Sequence, residues 1–502
     1  MTPQHEGQKS YSKTARKGAL WSVTRQGGHE LIAVPLSMVM ARLLTPRDFG
    51  VAVAASFFVL LAARLTQFGF NAAIVRVKQL RPEHLSSVFV VNMVIGAISY
   101  AVVFFAAPWI GRFFDSPEAG AVVRIGALTF LISPFGSVAS ATMTRNMEFR
   151  NLALADWTDA FVGAAATVVL AFRGWGYWSI VYGQVFATLI RVMVQMGLSG
   201  WRPSLRFSRE ALRELLSYGM GVQTKRLLEY ASTNADTLVV GRLLDLTALG
   251  VYDKAFSTMN RLVNRLTLGQ AAFRIFSIIH EDRERFGRAY RRLVLSVTMI
   301  GYPAIVTCIV VAEPLFEVLY GRQWGAAVLP FQVLCVGGML KLLNAYGSQA
   351  NEAAGAIWSQ ARRQAVGTLL VLGGAWTGAA QGGIVGAAVG VTIAMVLLTV
   401  TMQDLVRRAT GLSWKQLFGP QVPALTCAAL QAGAIVVVTI ALFRAVPGAR
   451  AWQVLAVQMG TGGVCYALFV LFSPFAAVRE LVRETGADIL PAAALRVLHR
   501  LT

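Results

Sequence analysis

Apolar residues run along this chain in blocks of roughly 18 to 25, the length a helix needs to cross a hydrocarbon core of about 30 Å. The blocks fall near residues 18–41, 49–69, 86–107, 119–142, 152–172, 175–198, 216–240, 250–275, 293–312, 328–349, 364–381, 384–404, 423–443 and 451–472. The pattern predicts an all-α polytopic membrane protein of about fourteen transmembrane helices, because backbone groups facing lipid must be satisfied within their own segment. The eleventh and twelfth blocks are parted only by Gly382-Gly383. No connection exceeds about 20 residues, which leaves no room for a separate folded domain of ordinary size.

Composition agrees with the pattern. Of 502 residues 56% are hydrophobic and only 14% charged, against about 25% charged in a soluble domain. The net charge of +21 raises nucleic-acid binding as a function. That requires a basic soluble face with polar or aromatic neighbours, whereas here Lys and Arg gather at the ends of apolar blocks. With a cytoplasmic N-terminus, about 28 Lys and Arg fall on the cytoplasmic side, about 8 outside and about 10 within spans, as the positive-inside rule requires. An even number of spans also returns the C-terminus to the cytoplasm. Cys308, Cys335, Cys427 and Cys465 all lie inside apolar blocks without metal-pair spacing, and read as reduced packing residues.

A repeat with a 200-residue offset organises the spans. Arg42-Leu43-Leu44 followed by Gly50-Val51 returns as Arg242-Leu243-Leu244 followed by Gly250-Val251, while Thr24-Arg25 matches Thr224-Lys225 and Ala55 matches Ala255. Six helices per copy is an even number, so both copies insert in the same orientation, as in transporters built from parallel lobes. The expected organisation is an N-lobe over 1–200, a C-lobe over 201–410, and an appended helix pair with a cytoplasmic tail over 411–502. Gly382, Gly386 and Gly390 sit at four-residue spacing, which suits close helix packing.

The segments "MARLLTPRDFGVAV" from Met40, "RFSREALRELLSYGM" from Arg206, "NADTLVVGRLLDLTALGVYDKAF" from Asn234 and "AEPLFEVLYGRQW" from Ala312 resemble the polysaccharide transporter family. That family includes Wzx-type O-antigen and exopolysaccharide flippases and colanic-acid exporters. It belongs to a superfamily shared with lipid II flippases and MATE multidrug exporters. The resemblance covers nearly the whole chain. It implies transport of an oligosaccharide repeat unit on undecaprenyl diphosphate across the bacterial inner membrane, by lobes that rock around a cavity. A lipid II flippase or a MATE-like multidrug antiporter is the alternative within the same superfamily. The resemblance implies no enzyme and no cofactor beyond a coupling proton or Na⁺, with a polymerase and glycosyltransferases as expected partners beside the lipid substrate and the membrane lipids.

A charge inside the bilayer is costly, so each one needs a job or a route to the interface. Arg25 and His29 share one face of the first span, and Lys225 and Glu229 occupy the matching positions of the seventh, with Arg226 adjacent and Ser232 and Asp236 extending the stripe. Arg261 and Arg265 stand one turn apart in the eighth span on a stripe with Lys254 and Thr258, and Arg64 lies in the second. Guanidinium groups in a partly dehydrated cavity offer a diphosphate paired, planar hydrogen bonds, so these residues form the expected cationic substrate site. Arg124, Arg191 and Lys341 read as structural or interfacial. Asp156 and Asp159 are neighbours on the fifth span; two close carboxylates raise each other's proton affinity, which makes them the candidates for ion coupling. The basic stretches 202–213 and 280–292 are expected on the anionic inner leaflet. An integral glycosyltransferase would need a large soluble loop bearing acidic or metal-binding residues, and no loop here carries such a cluster.

Overall fold

The computed structural model describes residues 31–66, 79–210, 233–267 and 271–481, together with residues 28, 70, 73, 74, 77, 212 and 230. Those residues are helical almost throughout and include ten helices long and apolar enough to cross a membrane. In chain order the helices are α1 (Leu31–Leu43), α2 (Pro46–Thr66), α3 (Pro82–Phe113), α4 (Pro117–Gly126), α5 (Thr129–Arg145), α6 (Phe149–Phe172), α7 (Tyr177–Ser199) and α8 (233–243). There follow α9 (Leu246–Leu266), α10 (Ala271–Ile279), α11 (Arg283–Val310), α12 (Ala312–Leu319), α13 (Val328–Ala353), α14 (Ile357–Thr410), α15 (Trp414–Phe418), α16 (Val422–Ala445) and α17 (Ala451–Leu471).

α14 is 54 residues long and contains two spans, because Gly382 and Gly383 leave helical geometry inside it. Gly383 has φ +58°, a conformation glycine adopts at no steric cost. The two arms then run antiparallel so closely that a Cβ at Gly378 would lie 2.0 Å from the Gly386 carbonyl oxygen. The ten apolar helices therefore account for eleven expected spans. Half of the first and most of the seventh fall outside the described residues. The eighth is α9, a helix too polar to register by hydropathy.

Contacts divide the chain into two compact units, Met1–Gly250 and Val251–Thr502. In the first unit the two segments sharing the repeated Arg-Leu-Leu pattern fold alike. Each ends a helix at residue 43 or 243 and begins another at 46 or 246. Thr45 caps α2 in reciprocal hydrogen bonds with Asp48 (3.0, 2.7 and 3.2 Å), with Pro46 at the first helical position, where no N–H is needed. Asp245, 200 residues on, caps α9 by accepting from the Ala248 N–H at 2.6 Å. The equivalent glycines cross reciprocally: a Cβ at Gly50 would lie 1.6 Å from the Leu246 carbonyl oxygen, and one at Gly250 would lie 1.9 Å from that of Pro46. When residue i meets j and its copy meets the copy of i, the contact has two-fold character.

Side-chain contacts sort the turns of this unit onto two faces. On one, Arg47 pairs with Glu118 (3.1 Å), Arg242 with Asp115 (2.7 Å), and Asp48 accepts from the Tyr177 N–H (3.1 Å), gathering the turns at 44–48, 113–118, 173–177 and 242–248. On the other, Arg145 donates to the carbonyls of Ile74 and Val77, both at 2.6 Å. There too the Ser208 N–H donates to Ser87 Oγ at 2.8 Å, and Trp201 packs edge-on against Phe89 at 5.5 Å. Alternate turns thus meet at opposite ends of the helices.

In the second unit, polar side chains join helices that are otherwise apolar. The Tyr290 hydroxyl donates to Gln403 and that of Tyr302 to Gln421, both at 2.8 Å. Gln431 on α16 donates to Thr307 (2.7 Å) and to the Gly462 carbonyl (3.0 Å), and Gln458 on α17 donates to Thr439 (3.0 Å). With lipid on the outside, helices gain little from apolar burial alone, so such bonds fix which faces meet. The four cysteines are free thiols, with Cys335 and Cys427 buried.

Candidate functional site: the polar stripe of α9

Five of the candidate residues, Arg25, His29, Lys225, Arg226 and Glu229, lie outside the described residues. Arg64, Arg261, Arg265, Asp156 and Asp159 lie within them.

α9 owes its orientation to a stripe of small and apolar residues. Val251, Ala255, Met259 and Val263 recur every fourth position and are buried, and Gly338 on α13 has no side chain to hold Met259 and Val263 away. About a quarter-turn from that stripe run Lys254, Thr258, Arg261 and Arg265, at the i, i+4, i+7, i+11 spacing of one helix face. Burial falls steadily along this row: Lys254 is 4% exposed, Arg261 half-buried and Arg265 exposed.

Lys254 is held between two rings, its Nζ 5.0 Å from the centre of Tyr320 and 4.9 Å from that of Trp324, and the Trp324 ring is fully buried. The Thr258 hydroxyl, 2.7 Å from the Lys254 carbonyl, also reaches the Tyr320 hydroxyl at 3.0 Å. A desolvated ammonium over aromatic faces gains about 2 kcal/mol or more, so Lys254 anchors α9 to the segment 320–324. Beyond the row, Asn260 accepts from Lys341 on α13.

Arg261 is differently placed. Its charge acts on Asp253 and Lys254, which leaves this stretch of helix with a net positive charge. Among the described residues no hydrogen bond or ion pair engages its guanidinium, so its donors are available to an anion.

Arg64 is half-buried on α2 and acts electrostatically on the phenol of Tyr230. Tyr230 in turn donates to the Phe57 carbonyl at 3.0 Å and packs on its ring. Asp156 forms an ion pair with Arg191 on α7 at 2.9 Å. With its amide turned to satisfy both ends, Gln195 accepts from Arg191 Nε and donates to the Gly136 carbonyl, each at 3.3 Å. Asp159, one turn on, is half-buried.

Sequence reasoning passed over two features of this kind. The aromatic seat of Lys254 joins residues about 70 apart, and nothing in the local pattern announces it. Asp404 on α14 takes Arg363, Arg407 and Arg408 at 3.1, 3.0 and 2.9 Å. Here the signal was legible, as one acid among arginines at the end of an apolar block.

A family model described as polysaccharide biosynthesis protein matches residues 39–329. Lipopolysaccharide biosynthesis protein WzxC of Escherichia coli (strain K12) is 25% identical over 341 residues, 64% of this chain and 67% of that protein. Succinoglycan biosynthesis transport protein ExoT of Rhizobium meliloti (strain 1021) is 28% identical over 322 residues, 63% of this chain and 64% of that one. The alignments thus span about two thirds of the relatives' length. Among solved structures, lipid II flippase MurJ in an inward closed conformation superposes with a TM-score of 0.73 at 13% identity, covering 94% of this chain and all of that one. An inward-facing MATE multidrug transporter gives 0.61 at 16% identity, covering 76% and 95%. At such identities the structures establish a common fold and nothing finer.

Proposed function

Because the chain belongs to the polysaccharide biosynthesis protein family, whose model spans residues 39–329, we propose that it is a flippase. It moves undecaprenyl-diphosphate-linked oligosaccharide repeat units across the bacterial inner membrane by alternating access. The chain is a multi-pass membrane protein; in this reading both termini lie in the cytoplasm, which the excess of Lys and Arg on one side supports.

The observation that carries the site is Arg261: a half-buried guanidinium in the last third of α9 that no hydrogen bond or ion pair from a described residue engages. A diphosphate cannot enter hydrocarbon unaided. Opposite charge in a partly dehydrated site lowers that cost, and the planar fork of arginine matches phosphate oxygens. Arg265 extends the cationic row toward the cytoplasm, so the diphosphate enters from that end and meets Arg261 next. Arg64, together with Arg25, His29, Lys225, Arg226 and Glu229, completes the proposed polar lining. The lobes 1–200 and 201–410 are the moving parts, with 411–502 appended. Coupling to a proton or Na⁺ through Asp156 and Asp159 requires that the ion displace Arg191, which stands 2.9 Å from the Asp156 carboxylate. A polymerase and glycosyltransferases are the expected partners.

Reconstitution tests the proposal. Proteoliposomes loaded with a labelled lipid-linked repeat unit should expose it on the opposite leaflet only when the protein is present. Transfer no faster than in protein-free vesicles excludes the flippase reading.

A further inference from the structure

A groove of about 510 Å³ lies between α3 and α4 of the first unit, and its lining includes Pro108, Gly111, Arg112, Ser116, Gly120 and Arg124. Its origin is local. Proline has no N–H, so Pro108 leaves the Phe104 carbonyl without its helical donor. Arg124 Nε donates to that carbonyl at 3.4 Å while its guanidinium stands 4.8 Å over the Phe104 ring. Gly111 and Gly120 let the two helices meet at the turn; a Cβ at Gly120 would lie 2.6 Å from the Ala107 carbonyl oxygen. The groove opens beside that contact, with Arg124 in its lining.

The charges in the groove are unbalanced. Asp115 is taken by Arg242 at 2.7 Å, and Glu118 by Arg47 at 3.1 Å and Ser116 at 2.5 Å. Arg112 at the rim forms no side-chain hydrogen bond or ion pair with any described residue. Nor do the two Nη groups of Arg124. Seven residues into α4, Arg124 sits about 10 Å below the helix start at 1.5 Å per residue, a depth at which an uncompensated guanidinium is expensive. Beside the groove α3 exposes Phe105 (72%) and Trp109 (68%), one turn apart. In a membrane protein that stripe faces lipid, with the indole suited to the interface.

We propose that this groove binds an anionic phospholipid from the leaflet on the side of the 113–118 turn. Its phosphate lies between Arg112 and Arg124, and its chains lie along Phe105 and Trp109. The volume suits a headgroup and the first carbons of its chains. Bound phosphate supplies the acceptors that Arg124 lacks and ties α4 to α3 across the gap made by Pro108.

The test uses the full-length protein in micelles carrying phosphatidylglycerol, phosphatidylethanolamine or polyprenyl phosphate, read by retained-lipid adducts in native mass spectrometry and by thermal unfolding. Wild type should retain phosphatidylglycerol over phosphatidylethanolamine and be stabilised by it. Arg112→Gln, an exposed rim change, and Arg124→Gln should each lower that retention about tenfold, the scale of one charge-assisted contact. Arg124→Lys should restore part of it. Equal retention of both phospholipids, a larger loss of polyprenyl phosphate than of phosphatidylglycerol in the two glutamine variants, or unchanged retention in Arg112→Gln would each overturn the proposal.

Discussion

Replacing Gly50 by alanine probes the two-fold crossing most sharply. In an ordinary helix this change gains about 0.5–1 kcal/mol, because glycine loses more backbone freedom on folding. At Gly50 the new Cβ would lie 1.6 Å from the Leu246 carbonyl oxygen, whereas carbon and oxygen settle no closer than about 3.3 Å. The helix starts at Pro46 and Leu246 must then separate by roughly 1.7 Å, and overpacking of this kind costs about 1–3 kcal/mol. The obstacle is backbone, so no rotamer change relieves it. Gly250→Ala should cost a similar amount, since its Cβ would lie 1.9 Å from the Pro46 carbonyl oxygen. Both substitutions push on one crossing, so the double variant should lose clearly less than the sum of the single losses. Thermal unfolding of the purified protein in one detergent, with the four variants side by side, reads all three quantities. A Gly50→Ala protein as stable as wild type, or strictly additive losses, would refute the reasoning.

Three further outcomes follow from the same geometry. Gln431→Leu removes the bonds to Thr307 and Gly462 and should lower stability by about 0.6–1.7 kcal/mol, the range for hydrogen bonds between membrane helices; an unchanged unfolding temperature would remove them from the account of how α16 and α17 are held. Asp156→Asn and Arg191→Gln should couple in a double-mutant cycle by about 1 kcal/mol of stability, and zero coupling would mean the ion pair does not form in solution. Arg261→Ala should reduce surface polysaccharide about tenfold or more at normal protein levels, given about 1.5–3 kcal/mol for a hydrogen bond to a charged group, with Arg261→Lys intermediate; full export by the alanine variant would take Arg261 out of the substrate path.

The apolar blocks made the helical architecture legible because lipid imposes length and hydropathy on every span it surrounds. The Gly382-Gly383 break stood out for a related reason, because the apolar tract around it is long enough for two spans. The pattern of apolar positions predicted a span over 250–275, although Asp253, Lys254, Arg261 and Arg265 lower the mean hydropathy of α9. The candidate site was legible as a list of charges but not as a set of relations. Arg191 as the partner of Asp156, Tyr320 and Trp324 as the seat of Lys254, and Phe104 as the acceptor for Arg124 all join separate helices. No periodicity encodes which helices will meet. Pro108 was the nearest thing to a signal, since a proline inside a span guarantees a carbonyl in need of a donor.

The central claim is that the chain carries lipid-linked repeat units across the inner membrane, and the sidedness of those units in cells lacking it tests this most directly. After depletion, membranes should hold undecaprenyl-diphosphate-linked repeat units trapped on the cytoplasmic leaflet, reachable by a membrane-impermeant probe only once the inner membrane is opened, while surface polysaccharide disappears. Repeat units found on the periplasmic leaflet of depleted cells, with normal polysaccharide export, would contradict it.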